Sequence, residues 1–168
     1  MRFGLRRWRC QTSAILLLIP SAACHAVREP VSTLTIANWS AADQLMFGFH
    51  QLENGSWRWT AREFSVALKP PEDAEKRGAT LHLEFYIPDS QIELLGPMTL
   101  AATAGRFTLP EEQFSKGGNY SYRGKIPGEL LATSVLPITF NFDKALSPAS
   151  ADGRELAVIV TKVELQAE

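Results

Sequence analysis

Apolar and polar residues alternate with a period of two along most of the chain. In the segment Thr80–Ile87, the apolar residues Leu81, Leu83, Phe85 and Ile87 occupy every second position, and polar residues or Tyr occupy the others. Because successive side chains of a strand point to opposite faces, this pattern predicts a half-buried antiparallel strand. Similar alternation predicts further strands in residues 33–37, 45–49, 64–68, 98–102, 136–142 and 156–165.

Turn-forming residues separate these segments. Asn54-Gly55 lies between two aromatic segments, and an Asn-Gly pair suits the positive φ angles of a tight hairpin turn. Ala104-Gly105 predicts a second turn of this kind, residues 71–78 a loop or helical turn, and residues 111–114 a short helical turn. We therefore predict an all-β fold, a single antiparallel β-sandwich that is jelly-roll-like and has about eight or nine strands.

The first residues have the order of a secretory signal peptide. Basic residues between Arg2 and Arg9 precede the apolar run Ala14–Ile19, and the small residues Ser21 to Ala23 follow. The run is shorter than the roughly 18 to 20 residues that a bilayer span requires. We therefore predict a signal peptide in residues 1–26 and a β-sandwich domain in residues 27–168, exported to the periplasm or the cell exterior.

Two forms of processing are open. Cys24-His25-Ala26 has small residues at the positions required for cleavage after Ala26, and we favour this form. Ser21-Ala22-Ala23-Cys24 instead resembles a degenerate lipoprotein box, in which Cys24 becomes the lipidated N-terminus. The first form diffuses freely, whereas the second is held at a membrane surface.

Removal of residues 1–26 changes the charge and the cysteine content. Four of the 17 basic residues and none of the 18 acidic residues lie in residues 1–26, so the mature chain has a net charge of −5. Nucleic acids and anionic lipid surfaces are poor partners for such a chain. Cys10 is also removed, so no intrachain disulfide forms and the core has to provide the stability.

The sequence has no recognisable catalytic or metal-binding motif. His50 and His82 do not occur in a zinc-ligand spacing, and no nucleophile motif or phosphate loop is present. Carboxylates are plentiful, but their spacing does not show that any two face each other across a cleft. We therefore predict that the protein is not an enzyme and has no metal or cofactor.

Aromatic residues give the clearest candidate binding surface. Trp57 and Trp59 are two positions apart and share a face, with Arg58 on the opposite face. They are either a platform that stacks on sugar rings or core residues, and we expect Trp59 to be in the core. Trp39 has polar neighbours. The candidate ligand-binding residues are Trp39, Glu53, Asn54, Trp57 and Arg58.

Several of these residues belong to a longer resemblance. The run Gly48-Phe49-His50, Glu53 to Thr60, Leu81 and Leu83, Ala104-Gly105, and Phe142 to Ala157 with Asp152-Gly153-Arg154 resembles a small jelly-roll-like β-sandwich module. This module occurs beside bacterial glycosyltransferases and in cell-envelope proteins. Ala104 stands where the module usually has Asn. The resemblance implies an accessory fold in an envelope or polysaccharide context.

Two functions follow as hypotheses. The first is a non-catalytic envelope module that binds a glycan or assists polysaccharide handling. The alternative is a structural or protein-interaction subunit of the envelope, lipid-anchored through Cys24 in one form. Arg58 with Asp152 or Arg154 is expected to form a structural charge pair between the early hairpin and the last strand. The sequence leaves the oligomeric state open.

Overall fold

The structure, a computed structural model, describes residues 29–168, except for the side chains of residues 39–41. All strand pairs are antiparallel, which confirms the predicted antiparallel β-sandwich. The described residues form ten strands, slightly more than expected: β1 (Thr33–Thr35), β2 (Leu45–Phe49), β3 (Arg58–Leu68), β4 (Ala79–Ile87), β5 (Met98–Ala104), β6 (Phe107–Thr108), β7 (Glu112–Phe114), β8 (Gly118–Ile126), β9 (Leu136–Phe142) and β10 (Ile159–Ala167). The helices are α1 (Ala74–Arg77) and α2 (Asp89–Leu95), with 3-10 turns at Trp39–Gln44 and Gly128–Leu130.

Strand β3 joins the two layers of the sandwich. Its first residues, Arg58 and Trp59, pair with β10, whereas Glu63–Leu68 pair with β9. We call the layer of β1, β10, β4 and β8 the β4 sheet, and the layer of β2, β9, β5, β6 and β7 with the second half of β3 the β9 sheet. The hairpin that precedes β3 therefore lies at the end of the sandwich where the two sheets meet.

Aromatic side chains fill the space between the sheets. Phe85 of the β4 sheet meets Phe142 of the β9 sheet with ring centroids 5.6 Å apart, and it meets Phe114 at 5.2 Å. Phe64 stacks on Phe140 at 5.0 Å. Burial alternates along β4 and β9 as the two-residue period predicts. Apolar burial on this scale is the main stabilising contribution to the fold.

Three local expectations require correction. Residues 111–114 form no helical turn, because β7 pairs with β5 and buries Phe114 against Phe85. The last strand begins at Ile159 rather than Leu156, since Leu156 forms an isolated bridge with Leu146. Helix α2 was not expected from the sequence.

Helix α2 is held by a buried amide. Gln91 is fully buried and donates from Nε2 to the carbonyl oxygen of Leu156 at 3.1 Å. This hydrogen bond joins α2 to the segment before β10 and compensates for part of the cost of burying the amide.

The predicted signal peptide 1–26 and the candidate lipidation site Cys24 lie outside the described residues. Within the described range, no helix has the length and apolar content needed to cross a membrane.

Removal of the Phe85 ring tests the core. We expect Phe85→Ala to lower the free energy of unfolding by about 3–5 kcal/mol, because the cavity lies between both sheets. The matched control is Phe47→Ala, whose ring is 49% exposed, and we expect a change of about 1 kcal/mol or less. Urea denaturation measures both. Equal losses in the two variants would contradict this core arrangement.

Candidate functional site

The site begins at the hairpin that leads from β2 into β3. Asn54 and Gly55 have φ angles of 48° and 65°, and Glu53 pairs with Trp57 across the turn. The amide of Ser56 donates to the carbonyl oxygen of Glu53 at 3.0 Å. The positive φ angles expected for the Asn-Gly pair are therefore confirmed. The turn positions the carboxylate of Glu53 at the edge of the sandwich.

An ion-pair cluster holds this hairpin against the segment before β10. Arg154 donates from Nη1 to Oε1 of Glu53 at 2.7 Å, from Nε to Oδ1 of Asp152 at 2.8 Å, and from Nη2 to Oδ2 of Asp152 at 2.5 Å. We call Glu53, Asp152 and Arg154 the clamp. The hydrogen bond from Arg154 lowers the pKa of Asp152, and the two carboxylates raise the pKa of Arg154. All three guanidinium nitrogens are thus engaged within the protein.

Arg58 is not a member of the clamp. Its Nη1 donates to the carbonyl oxygen of His50 at 2.9 Å, and within residues 29–168 it forms no ion pair. Arg58 lies opposite the buried residue Val160, so its side chain is directed to the inner side of the sheet, where the clamp carboxylates do not lie. The expected link between the hairpin and the last strand therefore exists in a different form, with Glu53 in place of Arg58.

His50 provides a second tie between the same two segments. Its Nε2 lies 2.6 Å from the carbonyl oxygen of Glu155, and because a carbonyl only accepts, Nε2 carries the proton. The local sequence shows only that His50 follows Phe49 in the quoted motif, outside any zinc-ligand spacing, and it does not reveal a partner 105 residues away.

A polar depression of about 540 Å³ lies beside the clamp. Its walls come from the hairpin and from the clamp arginine: Phe49, His50, Gln51, Leu52, Glu53 and Arg154. The depression offers the carboxylate of Glu53 and the amide of Gln51 to a hydroxyl-rich ligand.

The clamp carboxylates are both engaged by one arginine. Glu53 and Asp152 bind the same guanidinium, and the pKa of Asp152 is lowered by its hydrogen bond to Arg154. In the described part of the chain, no group of three His, Cys, Asp or Glu residues is placed to hold a metal ion.

The tryptophan pair lies on the outer face of the sandwich. Trp57 and Trp59 are both half-buried, so Trp59 is less buried than expected. Trp59 is directly opposite Ile159, whose next neighbour across the sheet is Tyr86. Nε1 of Trp57 is buried without a hydrogen-bond partner in residues 29–168. The side chain of Trp39 lies outside the described part, and Asn54 is exposed at the tip of the turn.

No family model matches the sequence, and no curated protein matches it. The resemblance to the glycosyltransferase-associated module therefore depends on the quoted residues alone.

Solved structures show distant likeness. A carbohydrate-binding module CBM36 in complex with calcium and xylotriose has 12% identity and a TM-score of 0.42, with 81% of this chain and all of that chain covered. The C-terminal CBM6 of LamC from Zobellia galactanivorans has 6% identity and a TM-score of 0.42, with 80% and 98% covered. The acetyl xylan esterase Est2A from Butyrivibrio proteoclasticus has 11% identity and a TM-score of 0.44, with 83% and 34% covered. At these values neither a ligand nor a binding residue transfers to this chain.

The clamp is testable by a double-mutant cycle. We expect Glu53→Gln and Arg154→Met to couple by about 0.5–1 kcal/mol in the free energy of unfolding, because both side chains are about two-thirds covered. The control cycle uses Asp73→Asn and Lys76→Met, an i,i+3 pair with both side chains mostly exposed, where we expect about 0.3 kcal/mol or less. Zero coupling between Glu53 and Arg154 would show that the clamp does not hold the hairpin.

The pKa of Asp152 predicts the pH dependence of the clamp. Because Arg154 lowers this pKa below its ordinary 3.8, the interaction stabilises the fold above 3.8 and is lost as the pH falls through the lower, folded-state value. We therefore expect Asp152→Asn to lower the melting temperature at neutral pH and to have no effect at a pH well below 3.8. A difference that persists at low pH would contradict this assignment. Thermal unfolding followed by circular dichroism measures it.

Proposed function

We propose that this chain is an exported, non-catalytic β-sandwich module of the bacterial cell envelope that binds carbohydrate. Two half-buried indole rings, one of which is paired with a residue that lines the polar depression, support this function. Trp57 is the cross-strand neighbour of Glu53, which lines the depression, so an aromatic surface and hydrogen-bonding groups are contiguous. Sugars present both C–H faces and hydroxyl groups, and they need both kinds of contact.

The indoles are suited to the apolar part of this task. Each ring has a large flat face, and a ring that is already half-buried loses little side-chain entropy when a ligand covers the rest. The depression is suited to the polar part, because Gln51 is exposed and Glu53 is only partly covered. Glu53 uses one carboxylate oxygen on Arg154, which leaves the other available to a hydroxyl group.

Export is the second part of the proposal. The basic, apolar and small-residue order of residues 1–26 supports secretion, with residues 27–168 as the mature domain in the periplasm or outside the cell. Lipidation at Cys24 is the variant of this route that would hold the module at a membrane. The resemblance of residues 48–60 and 142–157 to an envelope-associated module supports a polysaccharide context.

The alternative function is a protein-interaction subunit of the envelope. Met46 and Phe47 of the edge strand β2 are 58% and 49% exposed, and adjacent exposed apolar side chains favour contact with another protein. This surface lies on a different strand from Trp57 and Trp59, so substitutions can separate the two functions.

Glycan binding by tryptophan variants tests the proposal. A panel of xylo-, gluco- and manno-oligosaccharides is titrated into the mature chain by isothermal calorimetry. We expect Trp57→Ala and Trp59→Ala each to weaken binding at least tenfold, because each removes a stacking face worth about 1.4 kcal/mol or more. Trp57→Phe should weaken binding less, since it keeps an aromatic face.

Phe47→Ser is the matched control, and circular dichroism verifies that every variant is folded. Under the proposal this variant binds glycan as the wild type does. The carbohydrate function would be refuted if the wild type bound none of the sugars tested, or if Trp57→Ala and Trp59→Ala bound them as well as the wild type does. A cross-link to one envelope protein that is lost only in Phe47→Ser would then favour the alternative.

A further inference from the structure

The outer face of the β4 sheet carries a row of residues that continues from Trp59. Strand register places Trp59, Ile159, Tyr86 and Asn119 directly opposite one another on four adjacent strands. Directly opposed residues of antiparallel strands share a face, so this row crosses the sheet. Trp59 and Tyr86 are half-buried, and they are two strand spacings apart, roughly 10 Å. The row places two aromatic rings and an amide on one surface.

A shallow depression of about 510 Å³ adjoins this row. The polar residues that line it are Glu84, Asn119, Ser121, Arg123 and Thr161, with Phe85 and Tyr120 completing the lining. Oγ1 of Thr161 donates to the carbonyl oxygen of Glu84 at 3.2 Å, at the irregularity in β10 between Val160 and Lys162.

Three of the polar side chains that line the depression have no side-chain partner within the described residues. Asn119, Ser121 and Arg123 are exposed, and within residues 29–168 none of them makes a side-chain hydrogen bond or an ion pair. This distinguishes Arg123 from Arg154, whose guanidinium is engaged by two carboxylates. Arg123 therefore has free donors in the planar arrangement that binds a carboxylate through two hydrogen bonds.

Two lysines lie beside the three acidic residues nearest to Arg123. Lys162 lies 2.7 Å from Glu164 and 3.9 Å from Glu84, and Lys125 lies 3.0 Å from Glu168.

His82, directly opposite Arg123, adds no charge of its own at neutral pH. Burial and the Arg123 charge lower its pKa below the ordinary 6.5. Arg123 and Glu84 are thus the charged side chains that line the depression, and Glu84 lies 3.9 Å from Lys162, whereas the guanidinium of Arg123 has no partner within residues 29–168. At about 0.15 M salt, charges beyond about 8 Å are largely screened. The charged groups at the depression therefore determine how strongly it attracts an anion.

We propose that the outer face of the β4 sheet is a binding site for a carboxylated sugar residue, a uronate unit of an acidic polysaccharide. Arg123 binds the carboxylate, Asn119 and Ser121 bind hydroxyl groups, and Tyr86 and Trp59 stack on neighbouring sugar rings. The site rests on the proposed carbohydrate-binding function and specifies the class of sugar. The site shares Trp59 with the tryptophan surface proposed above. Its charged residue is Arg123, which is not a member of the clamp.

The test compares two probes that differ only in the esterification of their carboxylates, which removes the negative charge. Oligogalacturonate and the same oligomer with its carboxylates methyl-esterified are titrated into the mature chain by calorimetry at low and at physiological salt. We expect the acid form to bind at least tenfold more tightly than the ester, with a difference that shrinks as salt is added. Arg123→Ala should remove this preference, and Arg123→Lys should retain part of it.

Two variants serve as controls. Arg106→Ala removes an exposed arginine from the turn between β5 and β6 in the other sheet, and we expect it to leave the preference unchanged. Tyr86→Ala should weaken binding of the acid and the ester alike, because stacking does not depend on the charge.

The outcomes separate this site from the general proposal. Tryptophan-dependent binding of neutral sugars, without a preference for the acid or with an unchanged preference in Arg123→Ala, overturns the uronate site alone. Equal losses in Arg123→Ala and Arg106→Ala also overturn it, since they show unspecific charge attraction. Absence of binding to every sugar overturns both proposals. The site is supported if the preference for the acid is lost in Arg123→Ala and kept in Arg106→Ala.

Discussion

Strand β3 pairs with both sheets, and this shared strand determines where the other features of the molecule lie. Its second half carries Phe64 into the core, where the ring stacks on Phe140. Its first half pairs with β10 and directs Trp59 to the outer face, in line with Tyr86. The hairpin before it lies at the junction of the sheets, so Glu53 meets Arg154 from the other end of the chain.

Arg154 and Arg123 differ in whether other side chains of the protein bind their guanidinium groups. Arg154 donates to Glu53 and Asp152, and its hydrogen bonds join segments about 100 residues apart in sequence. Arg123 is exposed and makes no such bonds in the described range, while neighbouring carboxylates are paired with lysines. A cation satisfied within the fold stabilises it, whereas a free cation beside aromatic rings is available to a ligand.

Local patterns predicted the fold better than the site. The period of two along residues 80–87 and 136–142 identified β4 and β9, because alternation reports directly on which face is buried. The Asn54-Gly55 turn was also predictable, since few dipeptides adopt positive φ at both positions.

Long-range register was not predictable. The alternation placed Tyr86 on the outer face, but the pairing of β10 with both β3 and β4 aligns it with Trp59. For the same reason Arg58 was assigned to a charge pair that Glu53 makes instead.

The central claim is that Trp57 and Trp59 form a sugar-binding surface on the outer face. Nuclear magnetic resonance of the tryptophan indole N–H groups during an oligosaccharide titration tests it most directly. We expect the Trp57 and Trp59 signals to shift together with those of the backbone amides of β4 and β8. Unchanged indole signals at saturating sugar, or shifts confined to β2, would contradict it.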